Sequence, residues 1–197
     1  MNLLVLASGS PYRRSLLERL GLAFVTASPD VDETPRPGET ASDLVKRLAL
    51  LKARAAGGAH PRALVIGSDQ CAVQDGAMLG KPGNFEAAFE QLQRSAGRSA
   101  TFHTGLCLLN MASGEAQTDD IITTVRFRAL SRDQIRAYLR REKPYDCAGS
   151  FMSERLGIAL VERIDGSDPT ALIGLPLIRL VGMLTQAGLD PLADGHR

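Results

Sequence analysis

A short apolar run at the start of the chain, Leu3-Leu4-Val5-Leu6-Ala7, passes without a spacer into Ser8-Gly9-Ser10-Pro11 and then Tyr12-Arg13-Arg14. The run is too short to cross a bilayer and reads as a buried strand. Ser10 is a good helix N-cap, and Pro11 suits the first helical position, where its missing N–H is not needed. Two hydroxyls, two guanidiniums and backbone N–H groups thus converge at one helix N-terminus. That arrangement suits an anion, above all phosphate, with Ser8, Ser10, Arg13 and Arg14 as candidate ligands. The plainer alternative is an ordinary strand–helix connection with a solvated arginine pair.

Strand and helix signals alternate along the rest of the chain. Ala23–Ala27 is extended, and Ser28–Gly38, rich in prolines and acids, is a surface loop. Ala41–Ala55 is an amphipathic helix with Leu44, Val45, Leu48 and Leu51 at helical spacing. Ala63–Ser68 is a buried strand, and Cys71–Leu79 reads as a hairpin around Asp75-Gly76. Asn84 caps a helix with Phe85, Ala88, Phe89 and Leu92 on its apolar stripe. Two extended segments, Ser99–Met111 and Ala116–Leu130, meet at a turn at Ser113-Gly114. Ser131 caps a helix through Arg141, Gly157–Ile164 is a strand, and Pro176–Ala187 is the last helix. This alternation predicts one α/β domain over residues 1–197 with a mixed sheet.

Bulk properties exclude several classes. With 44% hydrophobic and 23% charged residues and a net charge of +1, nothing favours a stable nucleic-acid complex or a membrane partner. The arginines follow the first apolar run instead of preceding it, which is not a signal-peptide layout. Three widely spaced cysteines, Cys71, Cys107 and Cys147, suggest reduced buried thiols and a cytoplasmic location. His60, His103 and His196 cannot build a histidine-rich metal centre, and no nucleophile-elbow sequence supports a Ser-His-Asp triad.

Candidate chemistry lies elsewhere. Ser68-Asp69-Gln70 follows a strand directly, and polar groups at a strand's carboxyl end face the crevice where α/β sheets bind ligands. Asp69 can activate a water or hold a cation, or simply make an Asx turn. Gly80-Lys81-Pro82 superficially suggests a Walker loop, but Gly76 lies one residue too close and no Ser or Thr follows Lys81. Asp30, Asp32 and Glu33 form an acidic cluster that serves either loop solubility or a hard cation. Lys52 lies one turn beyond Leu48, where most lysines snorkel to solvent. Arg132, Arg136, Arg140, Arg141 and Lys143 read as a solvated helix face, since no aromatics interleave. Together these residues are the parts needed to hydrolyse a nucleoside triphosphate.

The segment Leu6-Ala7-Ser8-Gly9-Ser10-Pro11-Tyr12-Arg13-Arg14 resembles the N-terminal signature of Maf-like nucleotide pyrophosphatases. Val31-Asp32-Glu33-Thr34, Lys52-Ala53, Gly67-Ser68-Asp69-Gln70 and Gly80-Lys81-Pro82 match later motifs in the family's order. Thr104-Gly105, Cys147-Ala148-Gly149-Ser150 and Gly174-Leu175-Pro176-Leu177 extend the match over nearly the whole chain. The resemblance implies an elongated, twisted mixed sheet flanked by helices, as in inosine triphosphatases, with a cleft between two lobes. It implies cleavage of a nucleoside triphosphate between the α and β phosphates, with a divalent cation (magnesium or manganese), and a homodimer. By the same resemblance Asp69 is the proton acceptor, Glu33 and Asp69 hold the metal, and Arg13, Lys52 and Lys81 neutralise the triphosphate.

The Ser68-Asp69-Gln70 version, with Ser150-Phe151 and Ser153-Glu154, is similar to the subfamily acting on 7-methyl-GTP. Members that prefer dTTP and UTP carry Asp-Thr where this chain has Asp69-Gln70. Tyr12, Gln70 and Glu154 match the positions linked to substrate choice, although Tyr12 replaces a frequent tryptophan. Methylation at N7 gives guanine a delocalised positive charge, which an aromatic face and a carboxylate can recognise. The rival readings are a dTTP/UTP or broad-specificity pyrophosphatase and a non-catalytic nucleotide-binding regulator of cell division. A Ser-based hydrolase is a distant third.

Overall fold

A computed structural model describes residues 3–193, so His196 lies outside the described residues. The fold is a mixed seven-stranded sheet with α-helices, as the alternation predicts. Its elements are β1 (Leu4–Ala7), α1 (Pro11–Glu18), β2 (Phe24–Ala27), α2 (Ala41–Gly57), β3 (Leu64–Gln74), β4 (Ala77–Leu79) and α3 (Phe85–Ser95), followed by β5 (Ser99–Asn110), β6 (Ala116–Phe127), α4 (Arg132–Glu142), β7 (Val161–Gly166) and α5 (Leu177–Gln186). The strand order is β2-β1-β3-β5-β6-β7, with β4 paired to β3. β1 runs parallel to β2 and β3, whereas β3–β4 and β6–β7 are antiparallel. Residues 3–69, Thr104–Ile121 and 168–193 form one compact unit, and Gln70–His103 with Ile122–Ser167 form a second.

In the first unit β1, the start of β3 and β5 from Thr104 to Leu109 are buried on both faces, as central strands are, whereas β2 at the sheet edge is partly exposed. Alternate residues point to opposite sides. Leu4, Leu6, Leu64, Ile66, Leu106 and Leu108 pack with Leu16 and Leu17 of α1 and with Leu180, Met183 and Leu184 of α5. Val5, Ala7, Val65, Cys107 and Leu109 pack against Ala49, Ala53 and Ala56 of α2. The small face of α2 brings its backbone close to the sheet. A methyl group added at Gly67 would collide with the Ala49 carbonyl, and one at Gly105 with the Val45 carbonyl. This close approach fixes the height of every α2 side chain over β3.

In the second unit, β3 and β4 join through Asp75-Gly76, both at positive φ, as a two-residue hairpin demands. Asn84 caps α3 by accepting from the Ala87 N–H at 2.9 Å. Ser131 caps α4 in a full capping box with Gln134. Phe102, Phe127 and Phe151 form the aromatic core, with ring centroids 6.0 and 5.3 Å from Phe151. The basic face of α4 is not wholly given to solvent. The guanidiniums of Arg132 and Arg136 lie 5.2 and 5.3 Å from the Phe89 ring centroid.

Two sequence expectations need correction. Ser68-Asp69-Gln70 does not end a strand but lies in the middle of the eleven-residue β3. Pairing to β1 stops at Ile66 and pairing to β4 begins at Ala72, so the polar triplet follows the parallel part of a strand that continues into a hairpin. The predicted strand over 157–164 begins only at Val161; Leu156–Leu160 is a 3-10 helix. Its burial recurs every third residue, at Gly157 and Leu160, with Ile158 exposed. That period belongs to a 3-10 turn and not to a strand. Among the described residues no disulfide joins the cysteines, and no helix is long and apolar enough to cross a membrane.

Candidate active site

The opening turn is built from its own hydroxyls. Ser10 caps α1, its Oγ accepting from the Arg13 N–H at 3.4 Å, and Ser8 Oγ accepts from the Ser10 N–H at 3.1 Å. The Arg13 side chain returns over this turn, its Nη1 donating to Ser8 Oγ at 3.4 Å and its Nε to the Gly174 carbonyl at 2.8 Å. Ser8, Ser10 and Arg13 are therefore brought together. Arg14 is not: it pairs with Glu18 at 3.0 Å on the exposed face of α1.

Lys52 is the centre of the charged cluster. It is only 8% exposed, because the close α2–sheet contact carries it inward on the same face as Leu48 and Ala49. Its Nζ lies 2.6 Å from Asp69 Oδ1 and 2.5 Å from Glu33 Oε1. A buried ammonium needs such partners, since burial without them costs several kcal/mol. Arg13 sits in the field of the same carboxylates. Burial lowers its pKa from the ordinary arginine value, and Asp69 and then Glu33 oppose that shift. Six residues predicted from separate motifs thus form one cluster: Ser8, Ser10, Arg13, Glu33, Lys52 and Asp69.

The acidic loop contributes selectively. Asp32 makes an Asx turn, its Oδ1 accepting from the Thr34 N–H at 2.9 Å. Asp30 is exposed, and only Glu33 of the three reaches Lys52. The loop is pinned by a pair that the sequence reading did not single out. Arg47 donates to both Glu39 carboxylate oxygens at 2.6 and 2.8 Å and to the Thr34 carbonyl at 3.1 Å. These hydrogen bonds hold the Glu39 carboxyl down to about 2.

Asp168 escapes sequence reading, and the Gly174 motif has no role assigned by it. The Gly174 carbonyl accepts from Ser68 Oγ at 2.9 Å as well as from Arg13. Asp168, buried, fixes the turn before it by accepting from the Thr170 and Ile178 N–H groups at 3.0 and 2.7 Å. Asp168 stands nine residues ahead of the helix whose first turn it satisfies, so no local capping pattern reveals it. The Thr104-Gly105 motif also gains a physical basis. Thr104 donates to the Ala171 carbonyl at 3.0 Å, while Gly105 admits the backbone of α2.

The remaining candidates are divided between the units. Tyr12 is half-buried on α1 in the first unit. Gln70, Lys81 and Glu154 belong to the second, where Lys81 and Glu154 are exposed and Gln70 half-buried. Despite that exposure, desolvation raises the Glu154 carboxyl above its usual range. Glu142 adds to the shift, and hydrogen bonding and Arg155 oppose it.

Among the described residues no group of three His, Cys, Asp or Glu side chains gathers as a metal cage. Glu33 and Asp69 instead offer a pair of carboxylates. That set fits a hard cation such as magnesium, whose other ligands are substrate phosphates and water.

The Maf-like protein family model matches residues 3–187. The chain is 57% identical over 96% of its length to a 7-methyl-GTP pyrophosphatase of Thiobacillus denitrificans, covering 94% of that protein. A 7-methyl-GTP pyrophosphatase of Pseudomonas savastanoi pv. phaseolicola is also 57% identical, over 95% of this chain and 97% of its own. One from Bordetella pertussis is 55% identical over 98% and 96%. With the clustered motif residues and full-length similarity, the chain belongs to the Maf-like protein family.

Proposed function

We propose that this chain hydrolyses 7-methyl-GTP to 7-methyl-GMP and pyrophosphate, and so keeps a modified nucleotide out of nucleic acids. The observation that carries the reading is the Lys52 ammonium held between the Glu33 and Asp69 carboxylates, with Arg13 in their field. Burial of Lys52 calls for a carboxylate in any case, but two of them beside the phosphate-binding turn also supply an acceptor for a proton of water. The names of the full-length relatives support the choice of substrate.

In this mechanism Ser8, Ser10 and Arg13 hold phosphate oxygens at the N-terminus of α1. Asp69, oriented by Lys52, takes a proton from water as the water oxygen bonds to the α-phosphorus. The bond from that phosphorus to the α–β bridging oxygen breaks, and pyrophosphate leaves with the electron pair. Lys52 and Lys81 offset the charge that develops on the leaving group. Magnesium or manganese, held by Glu33 and Asp69 when bound, supplies further charge neutralisation at the phosphates. For the base, the Tyr12 ring offers a cation–π contact with N7-methylated guanine worth about 0.5–2 kcal/mol. Glu154 accepts from the guanine N1–H and amino group, and Gln70 adds an adjustable amide. Arg14, paired with Glu18, is left outside this set.

Product analysis across 7-methyl-GTP, GTP, UTP and dTTP, with magnesium or manganese, tests the reading. Pyrophosphate and the monophosphate are expected, with 7-methyl-GTP preferred. Asp69→Asn is expected to cost about 10²- to 10⁴-fold in kcat. Release of inorganic phosphate overturns the chemistry, and equal turnover of UTP or dTTP overturns the substrate. Nucleotide retention without turnover indicates a regulator.

A further inference from the structure

Ser150 is fully buried and has a φ of +58°, directly after Gly149 at +65°. A serine in the left-handed region is strained where glycine would not be, so its hydroxyl needs a reason to be there. That hydroxyl donates to Gln91 Oε1 of α3 at 2.6 Å. The other end of the same amide, Gln91 Nε2, donates to the Gly80 carbonyl at 3.1 Å. Because a carbonyl can only accept, the orientation of the Gln91 amide is fixed, and both of its ends are engaged.

We propose that Gln91 and Ser150 form a brace that positions Lys81 for the phosphates and Glu154 for selection of the base, a proposal that rests on the function given above. Gly80 immediately precedes Lys81, and Ser150 begins the segment that ends at Glu154. Beyond Ser150 that segment is anchored, with Phe151 packed on Phe102 and Phe127 and the Met152 N–H donating to the Tyr138 hydroxyl at 3.1 Å. The helix that carries Gln91 is itself tied to β3, where Gln74 Nε2 donates to the Arg94 carbonyl at 3.3 Å. One group senses both charges that the brace controls. Burial pushes the Cys147 thiol up to about 11, the Glu154 and Asp146 carboxylates add to this, and Lys81 opposes it. Both charges thus act on one thiol, and the brace holds the backbone beneath each of them separately.

Gln91 and Ser150 touch no reacting atom in this proposal; they are positioning residues that act through Lys81 and Glu154. Steady-state kinetics with 7-methyl-GTP and GTP separates these routes. Ser150→Ala is expected to lower the ratio of kcat/KM for 7-methyl-GTP over GTP by about three- to tenfold, the range of one lost hydrogen bond. In a Glu154→Gln background the same substitution leaves that ratio unchanged. Gln91→Met shows the same loss of preference and also raises KM for both nucleotides through the Lys81 turn. Proportional losses for both nucleotides in Ser150→Ala overturn the brace, as does a falling ratio in the Glu154→Gln background. If the wild-type protein shows no preference for 7-methyl-GTP, the substrate reading fails instead, and amide hydrogen exchange judges the brace alone. Gln91→Met should then deprotect residues 80–83 and 150–154 together, and unchanged protection at both overturns it.

Discussion

Lys52 shows how little a single residue discloses before its neighbours are known. In the sequence it is one lysine at the edge of a helical stripe, the kind that usually reaches solvent. In the fold it is nearly buried, because two carboxylates from distant segments take its charge. Replacing it with methionine removes the ammonium that pairs with Glu33 and Asp69 and leaves only Arg13 in their field. Removal of one partner from a buried pair costs about 3–5 kcal/mol, but the Glu33 side chain is 41% exposed, so a loss of roughly 1–3 kcal/mol is expected. Added magnesium should then raise the Tm of Lys52→Met more than that of the wild type, since it restores positive charge between the same oxygens. Equal shifts in the two melts would remove this pair of carboxylates from consideration as the metal ligands.

Glu154 supports a prediction of a different kind. Desolvation raises its pKa, so on acidification it takes up a proton at a higher pH than an ordinary glutamate. A protonated carboxyl neither compensates the charge of the methylated base nor accepts from both guanine donors. Preference for 7-methyl-GTP over GTP should therefore fall as the pH is lowered, beginning above the usual carboxylate range. In Glu154→Gln the ratio should be low and flat across the same pH series. A wild-type ratio that does not vary with pH would separate Glu154 from base recognition.

At the scale of elements, α2 does most to assemble the first unit's site. It presents Arg47 and Lys52, one clamping the acidic loop and the other receiving its glutamate. The Glu39 carboxyl is displaced from an ordinary 4.5 to about 2 by the Arg47 hydrogen bonds. A depressed carboxylate pKa stabilises the fold above the unfolded-state value, and that contribution disappears as pH falls through the folded value. Glu39→Gln should thus lower Tm at neutral pH, with the difference from wild type shrinking between about pH 4.5 and 2. Thermal melts across that interval test it, and a constant difference would assign the effect to packing.

The helix itself was readable because Leu44, Val45 and Leu48 recur at helical spacing, and α2 extends only to Gly57, two residues beyond the predicted end. Its clamp was not readable, because the Arg47–Glu39 pairing depends on how the loop folds back. At Leu156–Leu160 the failure was one of period. An apolar Gly-Ile-Ala-Leu run resembles a buried strand until the exposure of Ile158 and Ala159 reveals a three-residue turn.

For the whole molecule, the ordered motifs made the family legible, and the strand–helix–strand order of β1, α1 and β2 followed from local signals. Long-range closure did not. Asp168 and Thr170 have no strong local signature, and Gly174 belongs to a motif whose role the sequence leaves unassigned, yet they build the turn whose carbonyl holds Arg13 and Ser68. Gly174 has a φ of +121°, and a methyl there would come within 3.3 Å of Arg13 Nε. Gly174→Ala should therefore destabilise the protein by about 1–3 kcal/mol and raise KM by displacing Arg13. Wild-type KM together with wild-type Tm would show that the Gly174 carbonyl does not position that arginine.

The bond between Arg13 and Gly174 also sets a timetable. It joins residues 161 positions apart, so a ribosome adding about 5–20 residues per second reaches Gly174 on the order of ten seconds after Arg13. By the end of that interval Glu33, Lys52 and Asp69 have already been made, while Arg13 and Ser68 still await their shared acceptor. The growing chain thus lacks its completed anchor until Gly174 has been made, which ties the onset of function to the synthesis of that turn.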